Sequence, residues 1–368
     1  MWFNKCNSKL MKKILTHWTF AFVTLFVVTF IGLKDPQIKE ILRLKSFDLL
    51  LQSETKQISK DIAVVTIDEK AIEQYGQWPW KRDVLADIIV QLREQGAGII
   101  VVPILFSEYD RLGGDETFIN TIYQNGVVIA QTGTNQTNKN AVPRGVAKIG
   151  NPIPWLFEWG GMLGPIKEFG EYADGVGVTN TAPEVDGVVR RIPLLMAIGD
   201  EIYPAMAVEV IRVSTGAPSY QVKTGEGGII AMRVPGFDTI NTDANARIWL
   251  RWNNSYPTIS VTDIKDNTQL LKGKTVIIGM SAEGLGGIIA TPVGERYSYE
   301  LTASTLQTVL DGKQIKRVDI SGFLETIVAI ILGIIIVIMT RYLPYSFIAI
   351  LLIGFYFFTY LGVNAFLK

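Results

Sequence analysis

Ile62-Ala63-Val64-Val65-Thr66-Ile67-Asp68-Glu69 is a continuous apolar run of strand length, rich in β-branched residues and closed by two carboxylates. A strand apolar at consecutive positions is covered on both faces, as the strands of parallel sheets are. Arg82 to Gln95 follows with Val84, Leu85, Ile88, Ile89 and Leu92 on one side and Gly96 behind it, the pattern of an amphipathic helix with its stop signal. Ile99-Ile100-Val101-Val102-Pro103-Ile104-Leu105-Phe106 is a second apolar run, followed by Glu108 and Asp110. Strand, helix and strand in this order predict parallel pairing, and with it an α/β fold: a mixed, mostly parallel sheet with flanking helices. Pro103 has no backbone donor and predicts an edge strand or a bulge at that point.

Outward from this unit the pattern continues with a helix over 115–124 and a strand over 127–131. From 132 to 187 the chain is rich in Gly, Pro, Asn and Thr and reads as loops with short hairpins. Asp186-Gly187 is a tight turn into the strand VVRRIPLLMAI. A helix over 204–214, strands near 229–234, 247–252 and 275–279, and a helix over 301–310 complete the domain. Before it, Pro36 to Gln52 carries Ile38, Ile41, Leu42, Phe47 and Leu49 at near-helical spacing. That spacing suits a helix leading into the domain, and plain core packing equally well.

The chain has 368 residues, 48% of them hydrophobic, with 35 Lys plus Arg against 35 Asp plus Glu. Balanced charge leaves no basic footprint for nucleic acid. One cysteine, Cys6, and one histidine, His17, exclude an internal disulfide, a Cys/His zinc site and a His-dependent nucleophilic relay. The sequence therefore implies no enzyme, no metal and no cofactor.

Three apolar stretches read as membrane spans of about 20 residues. The first is 14–33, preceded by Lys5, Lys9, Lys12 and Lys13, which place residues 1–13 in the cytoplasm. A cleaved signal peptide is its rival, but the stretch is long for one and no A-x-A site follows. The others are 321–340 and 344–366, joined by a cytoplasmic loop at 341–343. On this reading 34–320 is an extracytoplasmic domain, Lys368 lies outside, and an output beyond it needs one more span to reach the cytoplasm.

The run 62–69, then Gly76-Gln77-Trp78-Pro79-Trp80-Lys81-Arg82, Gly96-Ala97 and Ile104-Leu105-Phe106-Ser107-Glu108 resemble the CHASE type 2 domain, a bacterial sensory domain associated with cyclases and histidine kinases. Asp186-Gly187-Val188-Val189-Arg190-Arg191, Gly273 to Gly279 and Thr291-Pro292-Val293-Gly294 extend the resemblance over about 40–312 in the family's order. It implies a membrane-anchored receptor in the inner membrane, its main domain periplasmic. Ligand or partner binding would pass to transmembrane helices in signal transduction, with a cyclase or kinase output absent from this chain. The lipid bilayer, a homodimer or membrane-complex partners and an unidentified extracytoplasmic ligand are the implied partners. A non-catalytic scaffold or interaction subunit of an envelope complex is the alternative. The family has three spans after the sensor where this sequence has two. Pro103 stands where an aspartate is common, Gly286-Gly287 where an aspartate is expected and Thr302 where a histidine is common, which implies a changed or abandoned ligand site.

Ligands of open α/β sheets sit beyond the carboxyl ends of the strands. Asp68, Glu69, Glu108, Asp110 and Glu283 all follow predicted strands and are candidates to bind a cation, an amine or a basic peptide, or else to cap helices. Trp78 and Trp80 flank a proline before Arg82, as a stacking platform or as a pin holding a helix to the sheet. Arg190 can bind an anionic group or pair with one of these carboxylates, and alternation turns Arg191 to the opposite face. Gly279 to Gly287 is a glycine-rich loop without a phosphate-binding signature, expected to border the ligand crevice.

Overall fold

The computed structural model describes residues 23, 26–27, 37–135, 138–312, 321–342 and 354. The chain forms two compact units, Met1–Glu54 with Arg317–Lys368, and Thr55–Lys316. Helix α1 (Gln37–Gln52) belongs to the first. Its buried residues are Leu44, Asp48 and Leu51, whereas Ile41 and Leu49 of the expected apolar face are exposed.

The second unit is built around the apolar run at 62–67. Strand β1 (Ile62–Ile67) is buried at every position. Asp68 caps helix α2 (Glu69–Tyr75), and helix α3 (Arg82–Glu94) follows. Strand β2 (Ile100–Val102), helix α4 (Asp115–Gln124) and strand β3 (Val127–Thr134) continue the alternation. Then come β4 (Gly161–Leu163), α5 (Lys167–Tyr172), β5 (Gly175–Val178) and α6 (Met206–Thr215). The unit closes with β6 (Thr258–Ser260), α7 (Thr268–Leu271), β7 (Thr275–Met280) and α8 (Tyr299–Leu310).

The main sheet has the order β6-β1-β7-β2-β3-β4, with β5 also on β3. All pairs are parallel except β3 with β4. Thr275 to Met280 lie opposite Ile62 to Ile67 in unbroken register, so a strand late in the chain fills the gap left by the β1-α3-β2 crossover. Alternation divides the side chains. Ala63, Val65, Ile67, Val276 and Ile278 pack with Leu85, Ile88, Ile89 and Leu92 of α3 and with Phe118 and Ile122 of α4. The other face is covered by α6 and α8, which also contact each other. A Cβ on Gly177 of β5 would fall 2.3 Å from the Met206 Cα, so glycine is what lets α6 lie this close to the sheet.

The second apolar run is a strand only to Val102. Pro103 marks its end rather than an edge, because β2 sits between β7 and β3 and the proline lies just past the ladder. The segment 132–187, expected as loops and hairpins, supplies β4, α5 and β5 to the main unit. Residues 146–149, 220–225, 228–233 and 239–240 form a separate four-stranded sheet.

The expected membrane spans require correction. Among the described residues no helix is long and apolar enough to cross a membrane. Helix α9 (Ser321–Tyr342) covers the span expected at 321–340 and is exposed at Val328, Ile331, Ile335 and Ile338. Its uninterrupted apolar run is 327–339, about 20 Å at 1.5 Å per residue, against a hydrocarbon core of about 30 Å. The spans expected at 14–33 and 344–366 fall, but for Val23, Phe26, Val27 and Gly354, outside the described residues, as do Cys6 and His17. What was built on the spans is corrected with them: the transmembrane part of the fold class, transmission through transmembrane helices, a bilayer or membrane-complex partner, and an inner-membrane site with a periplasmic domain.

Candidate functional site

The sequence candidates form two hydrogen-bonded sets. At the carboxyl end of β1, Asp68 Oδ1 accepts from the Ala71 amide at 3.0 Å and from Ser260 Oγ at 2.8 Å. This caps α2 and ties it to the end of β6. Glu69 Oε1 accepts from the Glu283 amide at 2.7 Å, reaching across to the loop after β7. That loop also begins on β1, since the Ser281 and Ala282 amides both donate to the Ile67 carbonyl.

The second set surrounds the start of α3. The Arg82 amide donates to Asp110 Oδ2 at 2.8 Å, and its guanidinium pairs with Asp115 at 3.3 Å and reaches the Glu108 carbonyl at 3.0 Å. The same guanidinium lies 4.4 Å from the centre of the Phe106 ring. Trp80 is buried, donates from Nε1 to the Gly76 carbonyl at 2.7 Å and meets Trp78 edge to face at 5.4 Å. Glu108 itself is exposed. Arg190 stands apart from both sets, fully buried and held by both oxygens of Asp186 at 2.8 and 2.9 Å. Arg191 pairs with Glu184 and lies 4.8 Å from the Trp249 ring centre. Among the described residues no group of three or more His, Cys, Asp or Glu could hold a metal ion.

A cavity of about 290 Å³ lies beyond the carboxyl ends of β7, β2 and β5. It forms where the chain parts: the loop after β2 leads to α4 on one face of the sheet, the loop after β7 to α8 on the other. Pro103, Ile104 and Leu105 supply one wall, Ile278, Met280, Leu285 and Gly287 a second, and Thr179, Ser298, Tyr299 and Thr302 close it. The glycine-rich loop keeps this shape by close approach. A Cβ on Gly279 would stand 2.5 Å from the Tyr299 ring, and one on Gly286 2.7 Å from the Met280 carbonyl oxygen.

None of the nine charged or aromatic candidates lines the cavity. Carboxylates at strand ends point to helix caps as readily as to ligands, and a cavity walled by neutral residues from four stretches of chain carries no charge pattern. One signal existed. Pro103, Gly287 and Thr302, three of the positions that depart from the resemblance, meet around this one cavity.

Two predictions arise here. Glu69→Ala removes the bond to the Glu283 amide, worth roughly 0.5–1.5 kcal/mol at an exposed site. Hydrogen exchange of amides 281–287 is then expected to quicken about threefold to tenfold with β1 and β7 unchanged; equal protection in both proteins contradicts it. Glu300, on the first turn of α8, has its carboxyl pKa raised, chiefly by burial, against the pull of Arg296. The folded state holds this proton to higher pH than the unfolded state does, so the group's contribution to stability falls as pH rises above the ordinary carboxylate range. Denaturant titrations at pH 4 and pH 7 should show Glu300→Gln gaining relative to the wild type at the higher pH. A gain at pH 4 alone reverses the assignment.

The model of the CHASE2 domain matches residues 21–340, and the chain belongs to the CHASE2 domain family. This is a non-catalytic sensory domain, and the chain is not an enzyme. No curated protein and no solved structure matches the chain.

Proposed function

We propose that this CHASE2 chain is a sensory domain whose input is a small molecule held in the cavity beyond β7, β2 and β5. The observation that carries the reading is the meeting of Pro103, Gly287 and Thr302 there, at the place in an open α/β sheet where ligands bind. Glu69 and Glu283 serve this site by holding the loop 281–287, and Asp68 by fixing the end of β6 beside it. Trp78, Trp80, Arg82, Glu108 and Asp110 brace α3 against the segment after β2, which carries the cavity residues 103–105. Arg190 fixes its own turn through Asp186. A ligand shifts a sensor only through its different affinity for two arrangements. The loop 281–287 borders the cavity and is tied to α2 through the Glu69 carboxylate.

Native mass spectrometry of the chain purified from its own host tests this. The wild type is expected to retain a small-molecule adduct, and Thr302→Phe, which fills the cavity, to lose it while melting within a few degrees of the wild type. An adduct equally present in both, or in neither, overturns the reading.

A further inference from the structure

We infer that the cavity selects an uncharged molecule with an apolar body and one hydrogen-bonding group; this rests on the cavity being the sensory site. Its lining contains no Asp, Glu, Lys, Arg or His, so an ion entering it gives up hydration and meets no opposite charge. Ile104, Leu105, Ile278, Met280 and Leu285 instead offer aliphatic and thioether surface to an apolar body. Met280, unbranched and polarisable, adapts to the edge of a ring or chain.

The hydrogen-bonding group is assigned from α8. This helix is buried on nearly all sides although it carries Thr302, Ser304, Thr305, Gln307 and Thr308. Thr305 and Thr308 satisfy their hydroxyls on the carbonyls four residues back, at 2.7 and 2.6 Å. Ser304 receives the Tyr256 hydroxyl at 3.3 Å, and Gln307 binds Ser59 and Asp311. Thr302 makes no such bond among the described residues, and Ser298, at the N-cap position, makes no side-chain cap bond. Both line the cavity. Thr302 is buried as a residue and Ser298 is exposed, and the hydroxyls of both, which the helix leaves unused, are the groups available to a ligand. Of the other two hydroxyl residues that line the cavity, Thr179 is committed at 3.4 Å to the Gln131 carbonyl and Tyr299 stacks its ring on Tyr297.

The test uses four probes of one shape, benzyl alcohol, toluene, benzoate and benzylamine, titrated into the full chain labelled on its methionine methyl groups. The Met280 signal is assigned by its loss in Met280→Leu. Benzyl alcohol is expected to move this signal saturably, with benzoate and benzylamine at least tenfold weaker and toluene weaker by at least threefold. Thr302→Val should erase the preference for benzyl alcohol over toluene, and Thr302→Ser should keep it within twofold. If benzoate or benzylamine binds at Met280 as tightly as benzyl alcohol, the ligand class is wrong and the site stands. If no probe moves Met280 in the folded protein, the site itself fails. A preference for the alcohol that survives Thr302→Val removes the role given to the α8 hydroxyl.

Discussion

Glu209→Ala is expected to destabilise the Thr55–Lys316 unit by about 3–5 kcal/mol, the cost of removing one partner of a buried ion pair. Glu209 lies on α6 and is fully buried. Its Oε1 accepts from Arg144 Nε at 3.0 Å, from an Arg212 terminal nitrogen at 2.8 Å and from the Val176 amide at 3.3 Å, while Oε2 takes Arg212 Nε at 3.0 Å. One carboxylate thus joins α6, β5 and the segment at 144. The space for it comes from Gly175, whose Cβ would stand 2.7 Å from the Glu209 Cγ. Without the carboxylate two guanidinium groups face each other with nothing between them, and the Val176 amide loses its side-chain acceptor. Denaturant unfolding measures the loss directly, and a change below about 1 kcal/mol would show the pairs to be incidental.

Phe169→Ala is the second large effect, again about 3–5 kcal/mol for deleting a buried ring. Phe169 is completely buried on the six-residue helix α5. It packs against Phe106 and Phe118, with ring centres 5.8 and 5.0 Å away and the two partners 5.0 Å from each other. The three rings come from the segment after β2, from α4 and from α5, so the trio closes the face of the sheet that α3 begins. Edge-to-face geometry adds to the area each ring buries. Phe169→Leu should recover more than half of the loss by refilling the volume. A leucine variant no more stable than the alanine one would mean that ring geometry, not volume, holds this corner.

These two residues show where the sequence was legible and where it was not. The run 62–67 and the helix at 82–94 were plain because six consecutive buried residues and a five-residue apolar stripe leave one reading each. α5 is too short for a helical period to emerge, and β4 and β5 have three and four residues, which is why 132–187 read as loops. The apolar run 99–106 outlasts its strand because Ile104, Leu105 and Phe106 are apolar for another reason: the first two line the cavity and Phe106 packs in the aromatic trio. Apolar length alone also suggested spans, and among the described residues no helix carries enough of it.

The site followed the same logic. Charge singles out Asp68, Glu69, Glu108, Asp110 and Glu283 in the sequence. The structure gives Asp68, Glu69 and Asp110 hydrogen bonds that hold helix starts and the loop after β7. The cavity is made by close backbone approach at Gly279 and Gly286 and by neutral side chains brought together only by the sheet order. Strand order is a long-range property, and no local pattern encoded that β7 would lie between β1 and β2.

The most direct test of the cavity as the sensory site is electron density in crystals of the chain purified from its own host. The account predicts a compact, uncharged molecule bounded by Leu105, Met280 and Thr302, with a hydrogen bond from or to the Thr302 hydroxyl. A cavity filled only by solvent, with a bound molecule instead against Trp78 and Arg82, would contradict it.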